Sequence, residues 1–210
     1  MKSRKTYGQF CGLARALDRV GDRWTLLVVR ELLLGPRTYR AISQALRGMS
    51  PNLLTHRLQV LTDSRLVERS DAPARSKAVT FRLTNAGEAL EPVVLEFIRW
   101  GARWMIDGPG SDTVDSRWAV LALRALLDGA ATREQQDGVV HIDAAGATLT
   151  IRVSEGVRSV HAGYLGAADA SITGSLAALL AAACGIRRAS AADLQIEGDA
   201  PLARAVLLPG

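Results

Sequence analysis

Across residues 38–70 the apolar positions change rhythm twice, from one helix to a second and then to a strand, and the rest of the chain is organised around that stretch. Tyr39, Ile42 and Leu46 fall three and four residues apart, a spacing that a 3.6-residue period gathers on one face. Gly48 can leave that helix with positive φ at no steric cost. Ser50 offers an N-cap oxygen, and Pro51 takes the first helical position, where a missing N–H costs nothing. The second helix carries Leu54, Leu58 and Leu61 inward, with Leu53 and Val60 beside them, and leaves Asn52, Thr55, His56 and Gln59 on the opposite side. That outer face is short-chained, polar and free of carboxylates. It suits a helix that enters a major groove and reads base edges, with Ser50 at its start; an ordinary solvated face is the plainer alternative. Two short strands follow, at residues 66–70 and 78–83, around a Pro-containing loop that carries Arg75 and Lys77. Such a basic hairpin can lie along a DNA backbone or minor groove, although a merely solvated hairpin has the same pattern.

Upstream, residues 10–20 place Leu13, Ala16, Leu17 and Val20 at helical spacing, and Gly21 ends the run. Asp22 can cap a helix over residues 23–34, which is apolar on more than one face and reads as the central core element; Trp24 reads as an aromatic plug. Gly35-Pro36 stops it, and Arg37 and Arg40 stand where the next helix begins. Together with Arg57 they are placed to meet DNA phosphates. Downstream, Thr84 opens one long helix to about residue 106, with Gly87 a mild cost in its first turn. Its Leu90, Val93, Val94, Phe97, Ile98, Trp100, Trp104 and Met105 form a face broader than a small domain buries. Packing on the chain's own N-terminal helices is one reading. A second subunit is the other, because a winged helix on a palindrome needs a partner.

The run DGPGSD from Asp107 marks a linker, placed at residues 108–113 between domains at 1–107 and 114–210. Beyond it a helix is expected at 116–127, then consecutive strands at 139–143, 148–154 and 157–162, joined by the glycine turns Ala145-Gly146 and Glu155-Gly156. A strand at 171–173, a capping Ser175, an alanine-rich helix at 176–184 and a strand at 194–199 complete the pattern. A helix on a curved antiparallel sheet makes the chain α+β, and such modules often enclose an apolar pocket, here walled by Leu176, Leu179, Leu180 and Ala183.

Composition sharpens this division. Residues 1–110 hold 18 Lys or Arg against 10 Asp or Glu, and residues 111–210 hold 8 against 11, so the positive charge that favours a polyanionic partner belongs to the first half. Two cysteines, Cys11 and Cys184, make no disulfide framework and fit a reducing cytoplasm. The N-terminus lacks an apolar run and a small-residue cleavage site, and residues 176–183 are too few to span a bilayer, so neither a signal peptide nor a membrane partner is expected. His56, His141 and His161 form no spaced metal motif with the cysteines, the acids form no recognisable catalytic pair, and there is no GxGxxG or P-loop. No enzyme, metal or cofactor is expected.

With Cys11, ALDRVGDRWTLLVVRELLLGPRTYRAI and GMSPNLLTHRLQVLTDSRLVER in view, the first half resembles the HxlR family of winged-helix transcriptional regulators, relatives of the MarR group. The resemblance runs from about residue 7 to residue 106. It implies a homodimer, seamed by Leu90, Val94, Phe97, Ile98 and Trp104, that binds double-stranded DNA at an inverted repeat, with residues 50–64 as recognition helix and Arg75 and Lys77 on the wing. It also implies Cys11 as a redox or electrophile sensor, although Gly12 stands where the family usually has proline. Residues 168–174 and 194–199 make the second half similar to the sterol-carrier-protein type-2 module, implying a cavity for some hydrophobic molecule. The expectation is a repressor whose DNA affinity such a molecule alters. A lipid or metabolite carrier, its winged helix serving assembly, is the alternative.

Overall fold

Residues Gly12–Val20 form helix α1 and Thr25–Leu33 form α2, and the carboxylate of Asp22 starts the second by accepting hydrogen bonds from the backbone N–H of Trp24 (2.9 Å) and Thr25 (3.2 Å). Val28, Val29 and Leu32 bury α2. Arg37 and Thr38 form a two-residue strand, β1, and Thr38 then caps α3 (Tyr39–Ala45) by accepting from Ala41 N–H at 3.2 Å. Gly48 sits at φ +89°, and Ser50 caps α4 (Pro51–Asp63) by accepting from Leu53 N–H at 3.3 Å. Strands β2 (Val67–Asp71) and β3 (Val79–Leu83) pair antiparallel, and β1 joins the far side of β3 to give the order β1-β3-β2. This is a helix-turn-helix followed by a hairpin, with the small core supplied by Ile42, Leu54, Leu58, Leu61, Val67 and Phe81.

The computed structural model describes residues 6–71, 79–105, 110–113, 115–131, 136–184 and 194–207. It divides into two units, residues 1–94 and 95–210. Arg75 and Lys77, at the expected wing tip, lie outside the described residues, as does Ile106.

The expected single helix from Thr84 is broken. A short α5 (Asn85–Glu88) gives way to a turn at Ala89 and Leu90, and α6 (Glu91–Gly101) starts afresh and ends in a 3-10 turn at Ala102–Trp104. Pro92 supplies the reason, since it lacks an N–H and its ring would collide with the carbonyl four residues earlier, at Glu88, in a continuous helix. Gly87 is likewise more than a mild cost. A Cβ there would lie 2.0 Å from the carbonyl oxygen of Leu66, so only glycine lets α5 approach the start of the hairpin.

In the second unit a 3-10 turn (Ser116–Trp118) leads into α7 (Ala119–Leu127). Strands β4 (Gly138–Ala144), β5 (Ala147–Ser154) and β6 (Val157–Ala162) form a meander through two turns in which both central residues have positive φ. Strands β7 (Ala170–Gly174) and β8 (Leu194–Gly198) complete the order β6-β5-β4-β7-β8. The sheet is mixed rather than antiparallel, because β7 returns beside β4 in the same direction. Helix α8 (Leu176–Ala183), capped by Ser175, and an unanticipated α9 (Ala200–Leu207) share one apolar core with α7 and the sheet. Among the described residues no helix is long and apolar enough to cross a membrane.

Replacing Gly87 by alanine is expected to cost about 2–3 kcal/mol in urea unfolding, the penalty of an overpacked contact. Gly101→Ala, where nothing lies within 4 Å of the added Cβ, serves as the control and should stay within about 1 kcal/mol of wild type.

Candidate nucleic-acid interface

Helix α4 divides as its period requires. Leu54, Leu58 and Leu61 are buried, while Asn52, Thr55, His56 and Gln59 are exposed on the outward side. Its first turn is held from two directions, by the Ser50 cap and by the Tyr39 hydroxyl of α3, which donates to the Pro51 carbonyl at 2.9 Å. Ser50 is exposed, but its hydroxyl oxygen serves the helix by capping it. One feature of this face escaped the sequence pattern: Gln59 donates through Nε2 to Asp63 Oδ1 at 2.7 Å, so a carboxylate borders this polar row. The two are four apart on a helix, a spacing from which the contact could have been read.

The arginines separate into two kinds. Arg40 is exposed on α3, open to a phosphate. Arg37 is half-buried on β1, and its Nη1 lies 2.5 Å from Oε2 of Glu31, a carboxylate with no solvent exposure that Arg30 also meets at 2.9 Å. Arg57 is turned from the polar face of α4, and its Nε stands 3.2 Å from Oδ1 of Asp22. On the hairpin, Arg69 is exposed with its guanidinium 5.6 Å from the ring centre of Phe81, and Arg82 pairs with Glu68 at 2.5 Å.

The broad apolar face of α6 is only partly outward. Val94 is buried, and Leu90 and Ile98 are half-buried. Phe97, Trp100, Trp104 and Met105 are exposed, and the two tryptophans meet edge to face at 4.6 Å beneath the Arg103 guanidinium. On α1 Leu13 and Leu17 are also exposed, as is Phe10 just before it, which the helical spacing alone did not assign to an outer face. Cys11 stands exposed at the N-cap position of α1 without a side-chain capping bond. Cys184 is half-buried, and that burial pushes its thiol up, away from thiolate. Leu176, Leu179 and Ala183 lie inside the core of the second unit, with Leu180 packed at its margin. Among the described residues no group of three or more His, Cys, Asp or Glu side chains is placed to hold a metal ion.

Residues 19–108 match the sequence profile of the HxlR-like helix-turn-helix family. The HTH-type transcriptional regulator YvaP of Bacillus subtilis is 32% identical over 91 residues, which are 43% of this chain and 84% of that one. The HTH-type transcriptional regulator sll1512 of Synechocystis is 31% identical over 98 residues, 47% of this chain and 73% of that one. A second Bacillus subtilis relative, the HTH-type transcriptional regulator YodB, is 31% identical over 99 residues, 47% of this chain and 86% of its own length. All three of these relatives are HTH-type transcriptional regulators.

Arg37→Ala should lower stability by up to about 3 kcal/mol, since a buried carboxylate then keeps only one of its two guanidiniums. Arg40→Ala should leave the melting temperature within a degree or two (roughly 0.5 kcal/mol for a surface change), and differential scanning calorimetry separates the two. Brief alkylation at neutral pH followed by peptide mapping should label Cys11 well before Cys184, because the thiolate is the nucleophile and burial disfavours it at Cys184.

Proposed function

Because the chain belongs to the HxlR-like helix-turn-helix family of transcriptional regulators, we propose that it binds an inverted-repeat DNA operator as a homodimer and represses transcription there. The observation that carries this reading is α4, whose polar side chains stand outward while its leucines anchor it to the core. Asn52, Thr55, His56 and Gln59 then read base edges, Gln59 after exchanging Asp63 for a base. Arg40 takes a phosphate, joined by Arg75 and Lys77 from the wing. Arg37 supports the interface from behind, through Glu31.

The exposed aromatic row of Phe97, Trp100 and Trp104 supports α6 as the dimer seam, continued inward by Leu90, Val94 and Ile98. Exposed rings of that size along one helix and the turn that ends it are the kind of surface a second subunit covers. Cys11 is the candidate sensor, favoured by its exposure. For the second unit we infer a regulatory module, similar to the sterol-carrier type, that binds a hydrophobic molecule beside Leu176, Leu179, Leu180 and Ala183. An alanine-rich helix against a sheet supports it, because small side chains leave room that larger ones would fill. Such a ligand alters DNA affinity only by binding the two states unequally.

Footprinting on the DNA upstream of its own gene should show two protected half-sites about one helical turn, roughly 34–36 Å, apart. Protection no different from that of random duplex would defeat the reading. Substituting Asn52, Thr55, His56 and Gln59 together by alanine should abolish the preference while leaving salt-dependent binding to any duplex. Phe97→Glu with Trp104→Glu should convert the dimer to monomer in sedimentation, and a dimer that survives would move the seam elsewhere.

A further inference from the structure

We propose that Asp22 and Arg57 form the pair that positions the reading helix, so that Arg57 governs which bases α4 meets without itself holding a phosphate. The proposal rests on the DNA-binding reading above. Asp22 is fixed to the first turn of α2. Its Oδ1 accepts from the N–H groups of Trp24 and Thr25, and its Oδ2 accepts from the Thr25 hydroxyl. Thr25 is buried, so the carboxylate is anchored to the core and does not wander. Arg57 reaches it from the middle of α4, and both side chains are 23% exposed, sheltered from the screening that makes surface ion pairs weak.

The geometry of the contact matters as much as its existence. Arg57 Nε is within ion-pair range of Asp22 Oδ1, yet it is buried and its N–H makes no aligned hydrogen bond. Attraction of charge, rather than a directional bond, therefore sets the azimuth of α4 against α2. Arg57 follows His56 directly and stands about 100° around the helix from it. With side-chain tips about 5–6 Å from the helix axis, a turn of α4 by roughly 10° moves them by about 1 Å. Hydrogen bonds to base edges tolerate a heavy-atom range of only about 0.5 Å, so a helix that loses this tether keeps its charge and loses its register. A phosphate ligand would instead need a well exposed guanidinium, and Arg57, with its side chain 23% exposed and its Nε turned to Asp22, offers less of one than the exposed Arg40.

The full chain should first select a sequence from a pool of random 30-base-pair duplexes, and the selected duplex is then compared with a scrambled one across a salt series. Arg57→Gln and Asp22→Asn, the latter keeping an oxygen that can still cap α2, are each expected to reduce the selected-to-scrambled affinity ratio about tenfold. The double variant should be no worse than either single one, since the two act as one contact. The salt slope should be unchanged, and Arg57→Lys should recover part of the ratio. An equal loss on both duplexes with a slope smaller by about 0.9 would make Arg57 a phosphate ligand and overturn the proposal while leaving DNA binding intact. A lowered melting temperature with an unchanged ratio would reduce the pair to a structural role, which also overturns it. Should Arg57→Gln fail to fold, Asp22→Asn and Arg57→Lys carry the same comparison. A wild-type protein that selects no sequence defeats the DNA-binding reading itself, and this proposal with it.

Discussion

Taking the Glu31 carboxylate out of water costs several kcal/mol of solvation, and the first unit offsets it with the guanidiniums of Arg30 and Arg37, one on each carboxylate oxygen. Arg30 is the next residue back on α2, so its approach is local. Arg37 is not local. It belongs to β1, which pairs with β3 at Phe81, and the following Thr38 both pairs with Thr80 and caps α3. One ion pair therefore joins the core helix, the hairpin and the start of the helix-turn-helix. Without it, β1 would have little reason to stay on β3, since a two-residue strand contributes few backbone bonds. Two residues later, the Tyr39 hydroxyl carries the same constraint to the first turn of α4. Helix α4 is thus held at its start through α3 and at its middle through Asp22.

Much of this was legible because it is local. The caps at Ser50, Thr84 and Ser175 each pair a side-chain oxygen with an N–H three residues on, a relation that sequence spacing displays directly. The inner and outer faces of α4 followed from its period in the same way. What the pattern did not reveal was which partner each charged side chain would find. Periodicity says where Glu31, Arg37 and Arg57 point along their own elements, but the carboxylates they meet, or the guanidiniums, come from elsewhere in the fold. Gly87 is the same lesson in steric form: the atom that forbids a Cβ there is the carbonyl of Leu66, twenty-one residues away. The break after α5 is different. Pro92 carried that signal openly, and the strong apolar periodicity around it masked the signal.

The second unit shows a limit of another kind. Alternation located its strands but cannot state which neighbour a strand takes or in which direction, and the parallel pairing of β4 with β7 came from neither. Arg158 makes the point sharply. It occupies an inward position of β6, where a hydrophobic residue is expected, and it is 1% exposed. Its guanidinium donates to the carbonyls of Ala130 and Ala131 beyond α7 and of Val206 in the last turn of α9. Carbonyls at a helix C-terminus lack partners within the helix and carry partial negative charge, so a cation is suited to meet them. Burial lowers the pKa of Arg158 from its ordinary value, and the cost of that desolvation is offset by these bonds. A buried charge here closes α9 onto the sheet.

Glu31, Asp22 and Glu68 together change what the basic character of the first half means. Counting cations treats every arginine as available to a polyanion, yet Arg30, Arg37 and Arg57 are committed to carboxylates within the unit, and Arg82 to Glu68. A paired guanidinium releases little counterion from DNA, because its charge is already met. The electrostatic footprint proposed for a duplex is then smaller than the net charge of the half implies, and it falls on exposed residues such as Arg40 of α3. A modest nonspecific term leaves more of the total affinity to base contacts, which are also the contacts that depend on the azimuth of the reading helix. On the proposed DNA-binding reading, the paired arginines therefore weaken indiscriminate binding and, by stiffening α4, strengthen discrimination, two effects that act in the same direction.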